Sequence, residues 1–359
     1  MNQTCRAAVF TGQSGKFEFR EFVVPEPTGD ELLVRVLGCT LCASDLHSCF
    51  GRRRTPTPSI LGHEIVGEIA AIADSAPRVD LRGRTLSIGD RVVWTLVASC
   101  GGCAFCRNGL PQKCLSAMKY GHQAFSPGRE LLGGLAEYCL LVSGTGVLRL
   151  PDELTLAEAC PAGCATATIA AAIDAAGALR DTTVLIVGAG MLGLTACAMA
   201  RAQGAKDVLC VDPQAERRAR AVNCGATHAL SPDDINPAIH SATDGLGVDV
   251  ALEISGANAG FEACWQGTRL GGRIILLGAV YPSPAVPVTI EQIVRRNLSI
   301  LGVHNYAPRH LVQGVEFLER NRLQYPLGDL VSQWYPLAEA ERAFQQASFP
   351  GAVRVGVIP

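Results

Sequence analysis

No stretch of this 359-residue chain is apolar for long enough to cross a bilayer. The most apolar window, 165–179, is rich in alanine and interrupted by Asp174, so it falls short of the roughly 18 consecutive apolar residues a span requires. It reads as a buried helix. The start, Met1-Asn2-Gln3-Thr4-Cys5-Arg6, lacks the basic residues and continuous apolar run of a secretory leader, which makes a cytoplasmic location the expectation, with no membrane partner. Charge of one sign is scarce too. Acidic residues outnumber basic ones, 33 against 31, for a formal net charge of -2, so no global field draws the chain to nucleic acid or anionic lipid. Solenoid repeats are absent and low-complexity sequence is sparse. A composition that is 48% hydrophobic and 18% charged with 38 glycines excludes a disordered chain and suits a compact α/β protein.

Cysteine is in excess: there are 15. In a reducing compartment they should not be disulfides, so their spacing must account for them. The length allows about two domains. Residues 6–150 are strand-rich, with β-prone runs at 31–37, 65–72 and 91–96 separated by Pro and Gly clusters. From about 165 to 305 apolar strands at 183–187, 208–211, 248–254 and 273–277 alternate with helical stretches, the rhythm of a parallel sheet with crossover helices. The remainder, with a helix-like 309–320 and a β-prone 353–358, is too short for a domain and should return to the first half. The expected division is 1–164, 165–305 and 306–359.

Cys100, Cys103, Cys106 and Cys114 stand as CxxCxxCxxxxxxxC, with Gly101 and Gly102 permitting tight turns. Four thiolates at this spacing suit a closed, tetrahedral structural zinc site; a CxxCxxC run also occurs in iron–sulfur ferredoxins. The loop alone identifies no reaction. Other ligand types are scattered: Cys42, His63 in Gly62-His63-Glu64, and Cys164 in Gly163-Cys164-Ala165. Two thiolates and an imidazole would leave a fourth position open on zinc, the requirement for catalysis. Singly, each is as well explained by packing.

Gly188-Ala189-Gly190-Met191-Leu192-Gly193 follows the strand 184–187 and opens a helix at 192–202. Glycines here allow a tight turn, close approach of backbone to a pyrophosphate and close helix packing. Asp212 ends the next strand, where a carboxylate accepts from a ribose hydroxyl and repels a 2′-phosphate, so NAD is favoured over NADP. Arg217 and Arg218 follow closely and offer some offset to that repulsion.

The stretch Gly62-His63-Glu64-Ile65-Val66-Gly67, followed by Ala73 and Ala76, resembles the signature of zinc-containing alcohol dehydrogenases of the medium-chain dehydrogenase/reductase family. Cys42-Ala43-Ser44-Asp45, the 100–114 loop, 134–138, Cys164 and the dinucleotide turn occur in that family's order and spacing, so the resemblance covers nearly the whole chain. It implies a GroES-like, mostly β catalytic domain plus a Rossmann doubly wound parallel sheet, two Zn2+ per chain, and hydride exchange between an alcohol carbon and NAD. By motif it makes Cys42, His63 and Cys164 the catalytic zinc ligands, with Asp45 and Glu64 as carboxylates orienting them. Zinc would lower the pKa of a bound alcohol, and Ser44 would take its proton and pass it, through the cofactor ribose, to His47 at the surface. Arg217, Thr168 and Arg354 would be further cofactor contacts, Arg217 at the ribose and Arg354 at the pyrophosphate. Ala43 stands where liver-type enzymes carry arginine, which brings the polyol-type branch closer; some of that branch use a glutamate as third ligand, which keeps Glu64 or Glu153 in play. A homodimer or homotetramer is implied, with 298–303 as an intersubunit strand.

Between Cys42 and His63 lies Gly51-Arg52-Arg53-Arg54-Thr55, in a loop that starts and ends near the metal. It is either a solvated basic loop or a clamp in which Arg52, Arg53 or Arg54 holds an anionic group. This context resembles a subgroup of these dehydrogenases associated with phosphonate catabolism, which implies a phosphonate-bearing alcohol or aldehyde; a polyol or amino-acid substrate is the alternative. Lys119, Tyr120 and His122 are further candidates for the substrate cleft. A non-enzymatic zinc-binding interaction module and a zinc-independent quinone or enoyl reductase are the competing readings, the first opposed by the lack of basic excess and the second by the three scattered ligands together.

Overall fold

The computed structural model describes residues 3–359; Met1 and Asn2, part of the start read as leaderless, lie outside them. The chain forms two compact units. One contains the residues up to Ala167 together with Asn305–Glu319 and Gly328–Pro359, and the other contains Thr168–His304 and Arg320–Leu327. The expected undivided return of 306–359 needs correction at Arg320–Leu327, which joins the second unit because Tyr325 packs beside Gly225 and Arg201.

The first unit is mostly β. Its largest sheet runs Val147–Arg149, Arg91–Trp94, Glu64–Ile72, Leu32–Thr40, Arg354–Ile358, Val331–Pro336, with Tyr138–Leu141 also on Leu32–Thr40. Leu32–Thr40 is central: it is covered by antiparallel partners along its length, which satisfies its backbone groups, and all but Arg35 and Leu37 are buried. The C-terminal strand pairs with its end through Gly356↔Thr40 and Val357↔Cys39, and Leu41 N donates to Val355 O. Residues leading into Cys42 are thereby fixed by chain from the far terminus. A smaller sheet orders Glu18–Val23, Thr4–Phe10 and Ser59–Ile60.

The second unit holds a six-stranded parallel sheet in the order His228–Leu230, Asp207–Val211, Thr183–Val187, Val248–Glu253, Thr268–Leu276, Ser299–Gly302. This unit's first strand in chain order, Thr183–Val187, lies inside the sheet, and successive strands are added to one side and then the other. The reversal leaves a crevice at the carboxyl ends, the place where nucleotides bind in such sheets. Thr183–Val187 is buried at every position, as expected of a strand covered on both faces. The alanine-rich window forms the helix Ala165–Ala176, and no single helix among the described residues is long and apolar enough to cross a membrane.

Candidate functional site

All 15 cysteines are unbridged, and two groups of them gather with metal-ligand geometry. In the 100–114 loop the Sγ atoms of Cys103 and Cys106 are 3.5 Å apart, Cys100 and Cys114 3.4 Å, and Cys103 and Cys114 4.0 Å. Four thiolates about 2.3 Å from one ion define a tetrahedron with edges of about 3.8 Å, so the loop fits a single four-coordinate ion. A multi-iron cluster would interpose several atoms and spread the sulfurs. The backbone N–H of Cys100 donates to Cys114 Sγ at 3.3 Å and, with the Ser116 hydroxyl, pulls that thiol down to about 6, toward the thiolate a metal requires.

The second group draws on three distant segments. Cys42 caps the helix Ala43–Cys49, His63 precedes the strand Glu64–Ile72, and Cys164 follows the short 3-10 turn Cys160–Gly163. Their ligand atoms lie within 4.8 Å of one another, and Cys42 and His63 are buried. Gly62 makes the approach possible: it has φ +86, and a Cβ there would meet Cys39 Sγ at 2.7 Å. Asp45, with no exposed surface, organises the group: Oδ1 accepts from His63 Nδ1 at 3.0 Å and from Gly62 N at 3.2 Å, and Oδ2 accepts from Cys42 N at 2.9 Å. With Nδ1 held this way, Nε2 of His63 is left as the ligating nitrogen. Ser44 Oγ lies 3.4 Å from that atom.

Burial opposes charge on His63, but Asp45 outweighs it and holds the ring up at about 10. The neighbouring Cys164 thiol draws Cys42 well below its usual value, against burial and with help from Arg354 and His63, while Cys42 and burial push Cys164 up. Two thiols and an imidazole gathered this closely are what a soft divalent ion takes, displacing the thiol protons. The donor set therefore fits zinc with an open fourth position. Behind it, Glu64 accepts from Thr40 Oγ1 at 2.6 Å and from Arg354 Nη2 at 2.7 Å. Burial raises its carboxyl to about 7, against the pull of Arg354.

In the second unit the helix Met191–Ala202 starts directly after Gly190. Gly188 has φ +106, and a Cβ on Gly193 would sit 1.7 Å from Gly188 O, so both positions demand glycine. Asp212 is buried beside this turn, accepting from Ala189 N and Gln214 N, each at 2.9 Å. Arg217 Nη1 stands 3.9 Å from Asp212 Oδ2. Arg218 donates to the carbonyls of Asp212 and Pro213, so of the two arginines it is Arg217 that stands at the carboxylate.

Two family models match the chain: an alcohol dehydrogenase GroES-like domain over residues 28–152 and a zinc-binding dehydrogenase over 192–320. The 5-exo-hydroxycamphor dehydrogenase of Pseudomonas putida is 30% identical over 96% of this chain and 95% of its own. The L-threonine 3-dehydrogenase of Pyrococcus horikoshii is 32% identical over 82% of this chain and 80% of its own. Among solved structures, an alcohol dehydrogenase from Thermotoga maritima superposes with a TM-score of 0.94 at 28% identity, covering 99% of this chain and all of that one, 100%. The chain belongs to the zinc-containing alcohol dehydrogenases of the medium-chain family. The relatives' names span a terpenoid alcohol and an amino acid, so membership of this alcohol dehydrogenase family leaves the substrate open.

Two expected residues of this dehydrogenase, Glu153 and Tyr120, sit elsewhere. Glu153 is exposed and outside the cluster, because it lies in the turn before Leu154, whose side chain takes the buried place. Tyr120 does not line a cleft: it is fully buried, its hydroxyl bonded to Thr145 Oγ1 at 2.7 Å and to Val142 N at 2.9 Å. Arg354, expected at a pyrophosphate, is buried and paired with Glu64; the strand Arg354–Ile358 docks beside Thr40 and delivers it there. Thr168 is buried within the helix Ala165–Ala176, and His47 is half-buried. Arg52 and Arg54 are exposed, whereas Arg53 turns inward and donates from Nη2 to His122 Nδ1 at 2.6 Å. The His122 ring lies 5.0 Å from that of His63.

Two further residues, Thr40 and Tyr306, support the site. Thr40 holds Glu64, and the Tyr306 hydroxyl takes Leu96 N and donates to Gly163 O, fixing the backbone next to Cys164. Thr40 was within reach of sequence reasoning, since it directly precedes the Cys42 loop. Nothing local marks Tyr306.

Proposed function

We propose that this zinc-dependent alcohol dehydrogenase uses NAD to oxidise an alcohol bearing an anionic group, or to reduce the matching carbonyl compound, and that a phosphonate is the anion. The observation behind this reading is the inward turn of Arg53 onto His122, beside His63, since a guanidinium there offers the fork that oxyanions take. Zinc, when bound, supplies a Lewis acid that lowers the pKa of an alcohol oxygen. The chain supplies the rest. Cys42, His63 and Cys164 hold the ion, Asp45 fixes the tautomer of His63, and Ser44 Oγ takes the hydroxyl proton. His47, kept neutral by burial and by the neighbouring Arg52, is ready to receive it. Asp212 is the reason for NAD over NADP, and the four-cysteine loop is read as the seat of a second zinc. The edge strand Ser299–Gly302, exposed along most of its length, suits pairing with a second copy.

A polyol or amino-acid substrate is the second reading, favoured by the likeness to L-threonine 3-dehydrogenase. Metal analysis of the purified protein, with nicotinamide absorbance over a panel of alcohols, separates the two. Two zincs per chain, NAD preferred over NADP, and a KM for a hydroxyalkyl phosphonate at least about tenfold below that of its uncharged analogue are expected. Equal constants would sink the anionic reading, and preference for sorbitol or threonine would establish the second. One zinc and no nicotinamide binding would remove both.

A further inference from the structure

Glu253 is a buried carboxylate outside the Cys42–His63–Cys164 cluster. It ends the strand Val248–Glu253, where the register sets it beside Val187 on one side and Leu276 on the other, and only 3% of its surface is exposed. The donors that reach the carboxylate are neutral: the Ser255 hydroxyl, and Gly256 N at 2.9 Å from Oε1 and 3.2 Å from Oε2. Burial raises the carboxyl above its ordinary value against these bonds. A group this costly to bury is kept for what its bonds hold in place.

Those bonds clip two loops together. The carboxylate holds Ser255 and Gly256, in the loop after Val248–Glu253, while the backbone oxygen of Glu253 accepts from Leu277 N at 2.9 Å and Gly278 N at 3.1 Å, in the loop after Thr268–Leu276. The loops meet backbone to backbone: a Cβ on Gly256, which has φ +72, would lie 2.7 Å from Gly278 O, and one on Gly278 would lie 2.8 Å from Glu253 Oε2. The sheet order says what these loops face. Asp212 follows Asp207–Val211, which puts the adenosine end of a dinucleotide on that side of the glycine turn. On the other side come Val248–Glu253 and then Thr268–Leu276, and a Cβ on Gly188 would meet Ser255 N at 3.1 Å. The nicotinamide half therefore falls over 254–257 and 277–280, the two loops that Glu253 joins.

We infer that Glu253 is a positioning residue for the nicotinamide half of the cofactor, holding 254–257 and 277–280 at the separation that accepts the ring. The glycine turn does not depend on the carboxylate, because Ile254 N is bonded to Val187 O at 3.0 Å and Gly188 N to Val211 O at 2.8 Å. Loss of the carboxylate should thus be felt at one end of the cofactor and not at the other. The inference rests on the NAD reading above.

Titration of the full-length protein with NADH, followed by fluorescence, and with ADP-ribose, which lacks the nicotinamide ring, followed by calorimetry, tests it. Glu253→Ala should weaken NADH binding at least about tenfold and ADP-ribose binding less than about threefold. Glu253→Gln, which keeps an acceptor for Gly256 N, should recover most of the NADH affinity. Gly256→Ala leaves the carboxylate in place but drives the loops apart; it should reproduce the split between the two ligands, and it carries the test if Glu253→Ala does not fold. Equal weakening of NADH and ADP-ribose, or a lowered melting temperature with both affinities unchanged, would make Glu253 a packing residue and overturn the inference while sparing the NAD reading. A wild type that binds neither ligand would overturn the NAD reading and the inference with it.

Discussion

Cys100, Cys103, Cys106 and Cys114 come from one solvent-facing loop, while Cys42, His63 and Cys164 arrive from three segments brought together by the sheet around Leu32–Thr40. The loop's ligands are oriented by its own turns and by N–H groups such as that of Cys100. Those of the dispersed group are oriented by charged side chains beneath them, Asp45 on His63 and Glu64 with Arg354 behind. A site that only staples needs four like ligands and nothing else. One that reacts must keep a position open and hold its three ligands rigidly, which takes buried charge and several elements of structure.

The contrast is sharpest when one cysteine is removed from each group. Cys164→Ala should take nicotinamide-linked turnover to background, a loss beyond the roughly 100-fold that changes in supporting carboxylates cost, and metal analysis should find one zinc rather than two. Cys103→Ala should also lose one zinc, yet keep turnover per folded molecule within a few-fold and instead lower the melting temperature by about 5–10 °C, as release of a closed loop would. If the two variants lose activity alike, the loop is part of the reacting machinery and the distinction fails.

Asp45→Asn tests whether buried charge is what sets the dispersed group apart. Zinc affinity by chelator competition, or turnover, should fall about 10- to 100-fold; a change under twofold would mean that packing alone orients His63. The smallest effect belongs to Glu64, whose carboxyl burial raises from its ordinary 4.5 to about 7. In metal-stripped protein its contribution to stability is complete below about pH 4.5 and is lost as pH rises through about 7, by at most about 3 kcal/mol. Denaturant unfolding across that window should therefore decline less steeply in Glu64→Gln than in the wild type. Equal slopes would show that the carboxylate is not desolvated.

Legibility followed the range of the interactions. Thr183–Val187 and the glycine turn after it were readable because strand, turn and helix are contiguous, and each glycine answers a local steric demand. The three dispersed ligands were readable only through the family's joint pattern, since a lone buried cysteine looks the same whether it packs or ligates. The partners of Arg354 and Tyr120, Glu64 in one case and Thr145 and Val142 in the other, are not legible locally because strand pairing and side-chain packing choose them. Arg53 could not be told from Arg52 and Arg54 in a run of three; only a fold that sets His122 beside His63 gives one of them a buried partner.

By itself the sequence determined the chemistry available to this protein: four thiolates at staple spacing, three separate soft ligands, and a turn only glycine can make before a helix. Those follow from residue type and local spacing, which need no knowledge of distant contacts. Tertiary structure alone decided which charges meet, putting Arg354 on Glu64, Tyr306 on Gly163 and Arg53 on His122. Those meetings depend on how strands far apart in the chain come to lie side by side, and no local pattern encodes that.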